Sequence, residues 1–127
     1  MLTSFSDLIS YAKQQPTPQR LLFLFANTQD AKKTGKHSKS GTIAPVMCVD
    51  KLPDEIQSFE DFVKEADQIS TQWDFIIIAA LSGEGNTPPT SDDAEIHLNK
   101  MTNDLTQGQS LASYVIFDRN ENPITMQ

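Results

Sequence analysis

A chain of 127 residues suits one domain, residues 1–127, with a sizeable core of its own. Seventeen acids against ten bases, a net charge of −7, disfavour nucleic acid and anionic membrane as partners, and the single cysteine rules out an internal disulfide and any CxxC metal or redox pair. The apolar runs Leu21–Ala26 and Phe75–Leu81 fall far short of the roughly 20 residues that span a bilayer, and "MLTSFSDL" has no basic leader region, so the expectation is a cytoplasmic protein that does not enter membranes.

In chain order, "SFSDLISYAKQQ" sets Phe5, Leu8, Ile9 and Ala12 on one helical stripe behind a Ser4-x-x-Asp7 cap, and Pro16 and Pro18 end it. "RLLFLFA" is too short for a helix and too uniformly apolar for a half-exposed strand, which predicts a strand covered on both faces. Residues 27–41, "NTQDAKKTGKHSKSG", read as a long mobile basic loop. "TIAPVMCVD" resumes as a second strand, where Pro45 removes a ladder donor and marks an edge or a bulge. "LPDEIQSFEDFVKEADQIS" has Phe59, Phe62, Val63, Ala66 and Ile69 on one stripe behind a Ser58-x-x-Asp61 cap. "DFIIIAAL" is a third strand buried on both faces, and "SDDAEIHLNKMTNDLTQG" follows as a helix with Ala94, Leu98, Met101 and Leu105 inward and Gly108 as its C-cap. "ASYVIFD", the turn "RNEN" and "PITM" close the chain as a hairpin, with Pro123 at a strand start or edge.

The order α-β-β-α-β-α-β-β contains strand–helix–strand twice. It predicts an α/β fold in which three helices cover a mixed, mostly parallel sheet of about five strands, through right-handed crossovers and with the last strand antiparallel. The connection through residues 27–41 stays open between a wide hairpin and a crossover.

The loop "SGEGNTPPTS" leaves a buried strand for a helix, which is where nucleotide folds cradle a phosphate, so Ser82, Gly83, Gly85, Asn86 and, from the neighbouring strand, Asp50 are candidate ligand-binding residues. Several residues oppose a phosphate there. Pro88 stands where the dinucleotide fingerprint needs a third glycine, Pro88 and Pro89 lack backbone donors, Glu84, Asp92, Asp93 and Glu95 crowd the site with negative charge, and no GK[ST] follows. Ala80 and Glu84 occupy the glycine positions of a serine nucleophile elbow around Ser82. The simpler reading makes Gly83 and Gly85 turn residues, with Thr90 or Ser91 capping the next helix.

Cys48 reads as a small buried strand residue with a slow thiol. Glu95 and His97, two apart on a helix, point to different faces and share no metal. No catalytic residue, metal site or cofactor is expected. Lys32, Lys33, Lys36 and Lys39 form a candidate partner-binding loop without an aromatic to stack a base; it interrupts a chain whose segment from Asp50 to Glu95 holds twelve acids and two bases, and it could dock on the acidic second helix of its own or a neighbouring chain.

"MLTSFSDLI", "PQRLLFLFA", "PVMCVDKLP", "WDFIIIAALSG" and "FDRNENP" together resemble a family of small bacterial proteins of roughly this length, whose members often carry the label of ribonucleotide reductase alpha subunit. The label implies a radical cysteine, a separate redox cysteine pair and a large barrel, none of which a chain with Cys48 alone can supply, so it implies no site here. The expectation is a non-catalytic binding or regulatory domain acting on a protein partner or a second copy of itself. The alternative is a small-ligand or nucleotide-binding enzyme using residues 82–91 at the sheet edge.

Overall fold

The computed structural model describes residues 4–29, 42–107 and 114–124. Helix α1 (Phe5–Lys13) begins where Ser4 caps it, the hydroxyl accepting from the Asp7 amide at 3.1 Å, and it buries Phe5, Leu8, Ile9 and Ala12. Strand β1 (Gln19–Gln29) takes in Asn27, Thr28 and Gln29, which were expected in the loop. Strand β2 (Thr42–Lys51), a 3-10 turn at Pro53–Glu55, helix α2 (Phe59–Asp67), strand β3 (Phe75–Ser82), helix α3 (Ser91–Thr106) and strand β4 (Val115–Asp118) complete the order. Ser58 and Thr90 cap α2 and α3 through the Asp61 and Asp93 amides. Ile69, expected on the inner stripe of α2, lies past the helix end and is 68% exposed.

The four strands form one sheet in the order β2-β1-β3-β4, and every neighbouring pair is antiparallel. This α+β fold overturns the expected α/β fold with a mostly parallel sheet of five strands. β2 and β3 both run opposite to β1 and so parallel to each other, but β1 lies between them, and the connection through α2 passes over β1 instead of joining neighbours. α3 then links β3 and β4 as an antiparallel pair. The expected fifth strand is a single bridge between Phe117 and Pro123, beside the Ile124 amide donating to the Ile116 carbonyl at 2.8 Å; Pro123 has no N–H to extend a ladder.

β1 and β2 pair from Leu21–Lys51 out to Gln29–Thr42, so of the two open connections the hairpin is the one found. Residues 30–41, with Lys32, Lys33, Lys36 and Lys39, lie outside the described residues, as does Gly108. The register shifts between Phe25 and Ala26, where β2 carries Pro45 and one additional residue, Val46.

β1 is the middle of three layers. Leu21, Phe23 and Phe25 pack against α1 and α2, while Leu22, Leu24 and Ala26 pack against α3. Phe62 of α2 sits over the first face, its ring centroid 4.5 Å from that of Phe23 and 5.4 Å from that of Phe5. Uniformly apolar strands report cover on both faces and not strand direction, which is why the sequence pattern of a parallel sheet recurs in this antiparallel one.

Two polar locks hold the end of the sheet, one to α2 and one within the turn that follows β4. Arg119 lies 3.9 Å from the centroid of the buried Trp73 ring, forks onto both oxygens of Asp67 at 3.1 and 3.2 Å, and donates to the carbonyls of Thr71 and Trp73 at 2.8 Å each. The hydrogen bonds from Arg119 hold the Asp67 carboxyl below its usual value despite partial burial. In the turn after β4, the Asn120 and Asn122 amides donate to Asp118 at 2.8 and 2.9 Å, and the Asn122 amide is the larger cause that lowers its pKa. Glu121 adopts φ 65° and accepts from the Phe5 amide at 2.8 Å.

Both carboxyls titrate lower in the folded chain than in the unfolded one. Their stabilisation is therefore complete above the unfolded carboxyl value of about 3.9 and disappears as the pH falls through the lower folded values. Urea unfolding between neutral pH and about pH 2 should show an acid limb that is shallower in Arg119→Met than in the parent; equal limbs would refute the Asp67 lock. Phe62→Ala should lose about 3–5 kcal/mol at neutral pH.

Candidate functional site

The segment from Gly83 to Thr90 is a closed hairpin. Glu84 and Thr87 exchange backbone hydrogen bonds at 3.0 and 2.9 Å around Gly85 and Asn86, and Gly85 takes φ 56°, the left-handed value such a tight turn demands of its first central residue. A Cβ on Gly83 would stand 2.0 Å from the Thr87 carbonyl oxygen, so this glycine is required by the returning chain. The Gly83 amide donates to the Pro18 carbonyl at 2.9 Å. At the start of α3, Thr90 and Asp93 cap each other's amides at 3.0 and 3.1 Å, and those bonds from Thr90 hold the Asp93 carboxyl below its ordinary value.

An open depression of about 580 Å³ lies between this hairpin and α3, lined among others by Ser82, Gly83, Glu84, Thr90, Asp93 and His97. It brings together two of the predicted residues, Ser82 and Gly83, and disperses the rest. Ser82 is tied to the buried Gln19 amide at 2.9 Å. Asn86 lines a separate depression with Pro16, Pro18 and Pro53. Asp50 is engaged elsewhere: its Oδ1 accepts from the Arg20 guanidinium at 2.6 Å and the Ser91 hydroxyl at 2.9 Å, while Arg20 Nε donates to the Pro89 carbonyl at 2.8 Å. Arg20 thereby fastens β1 to β2 and to the entry of α3. Asp93, which the sequence presents only as one of the acids opposing a phosphate, and His97, which it sets only beside Glu95, fall on one helix face by their spacing of four and line this depression together. Among the described residues no group of three or more His, Cys, Asp or Glu could hold a metal ion, and no helix is long and apolar enough to cross a membrane.

Cys48 departs from expectation. It is exposed, with Sγ 3.8 Å from the Thr102 hydroxyl, because β2 is an outer strand that α3 covers incompletely.

The same position makes β2 a second candidate. Among the described residues its only ladder partner is β1, so one row of backbone donors and acceptors faces outward along ten residues. Pro45 interrupts that row and leaves Val46–Lys51 without a proline. Its two charged side chains turn back into the molecule, Asp50 to Arg20 and Lys51 to Glu65 at 2.9 Å. Val46, Met47 and Val49 are partly buried against the first core layer. Val49, Lys51, Glu65 and Ile69 share a small depression of about 40 Å³, and beside it Glu55, Asp61 and Glu65 line another of about 310 Å³.

Searches against protein-family models, curated proteins and solved structures return no match.

ATP, NAD or inorganic phosphate at millimolar concentration, with or without magnesium, should leave the melting temperature unchanged, whereas a ligand a hundredfold above its dissociation constant would add about 2.7 kcal/mol. In the same assay Gly85→Ala should cost about 1–2 kcal/mol through its positive φ, and Gly83→Ala more, because a backbone carbonyl blocks its Cβ. A nucleotide-dependent rise in melting temperature that Gly83→Ala abolishes, in a variant that still folds, would show that the hairpin holds a ligand.

Proposed function

We propose that this chain is a non-catalytic binding domain that engages a protein partner by adding the partner's extended segment to the outer edge of β2. The observation that carries this reading is the edge itself: an outer strand that among the described residues is paired only with β1, with both of its charges engaged in ion pairs within the chain and partly buried Val46, Met47 and Val49 along one side. Exposed edges are ordinarily blunted by outward charges, bulges or prolines, and here the bulge and Pro45 guard only one half. A row of free N–H and C=O groups is complementary to another extended backbone, each added hydrogen bond contributing about 0.5–1.5 kcal/mol net. The depression at residues 82–91 supports the enzymatic alternative less well, since the polar groups of Ser82, Thr90 and Asp93 are already satisfied within the chain.

Cys48 supplies the test because it is exposed in the middle of the proline-free stretch. A benzophenone maleimide on Cys48, photolysed in native lysate, should give a discrete adduct that unlabelled protein competes away. The same label on Asn99→Cys in a Cys48→Ser background, on the outer face of α3, should not. Identical products from both positions, or none from Cys48, would refute the edge as the binding surface, and an adduct at twice the chain's mass would identify self-association.

A further inference from the structure

We infer that the segment received by β2 is basic, carrying a lysine or arginine two residues from an apolar side chain. The inference rests on the strand-addition reading above and specifies its partner. A strand presents residues i and i+2 to the same face, roughly 7 Å apart. On the α2 side of β2 the two neighbouring depressions share Phe62 and Glu65 but differ in chemistry. The first, between Val49 and Ile69, is small and has an apolar wall, and Ile69 is largely exposed beside it. The second presents the carboxylates of Glu55, Asp61 and Glu65. Lys51 pairs with Glu65, and among the described residues Asp61 enters no ion pair, so negative charge remains in excess beside the Lys51 end of β2.

Charge also decides between occupants. A second copy pairing edge to edge through its own β2 would bring the same acidic shoulder to the interface, and like charges opposed across a strand pair are destabilising. A basic segment meets no such repulsion, and the field of the acidic body would speed its approach.

The experiment titrates ¹⁵N-labelled protein with a capped nonapeptide that has threonine at odd positions and valine and lysine by turns at even ones, against the same peptide with glutamate for lysine. The lysine peptide should shift the amides of Val46–Lys51 and bind about tenfold or more tighter than the glutamate peptide. Asp61→Asn combined with Glu65→Gln, two exposed positions, should remove most of that preference while leaving the β2 shifts in place. Equal affinity of the two peptides at β2 would overturn the basic preference and leave strand addition standing. Absence of β2 shifts with either peptide, or shifts confined to α2, would overturn both readings. Concentration-dependent β2 shifts without peptide would make a second copy the occupant and overturn this inference.

Discussion

Six consecutive side chains, Leu21 to Ala26, are withdrawn from water, and a strand apolar on both faces needs a helical layer on each side and a neighbour on each edge. The rest of the domain answers that requirement. α1 and α2 cover the odd-numbered residues, α3 covers the even-numbered ones, and β2 and β3 occupy the two edges. Since β1 takes the centre, β2 is displaced outward, and its half-covered Met47 and Val49 follow from that placement. The candidate binding edge is thus a by-product of how the most apolar strand is protected.

Much of the local structure was legible because it is encoded locally. The caps at Ser4, Ser58 and Thr90 and the buried stripes of α1 and α3 depend on spacings of three and four within one segment. Strand pairing is non-local, and apolar runs such as "FIIIAAL" carry no mark of direction. The decisive relation, β1 inserted between two strands that a helix connects, has no signature in the segments themselves. Pro45 was informative because proline acts on its own backbone. Pro123 was equally so, and its missing donor helps reduce the expected last strand to a bridge.

The candidate sites divide in the same way. Gly83 and Gly85 were readable as turn residues because backbone demands fall on single positions. Asp50 looked available as a ligand residue only because its partner, Arg20, lies thirty positions earlier at the start of an apolar run where a lone arginine attracts no notice. Cys48 was misplaced for a related reason. Pro45 marks its strand as an edge or a bulge, but the exposure of Cys48 depends on how far α3 reaches over that strand, which no local pattern records.

The hydrogen bond from the Phe5 amide to Glu121 spans 116 positions, and Phe5 also packs on Phe117, with ring centroids 6.2 Å apart. The first described helix is therefore completed by the last described turn. On the ribosome, where the chain emerges from its amino end, Phe5 lacks these partners until Glu121 has cleared the exit tunnel, so the core closes after synthesis of nearly the whole domain and not by stepwise addition. During that interval the apolar faces of β1 and β3 are incompletely covered, which leaves the chain open to aggregation until its last described turn is in place.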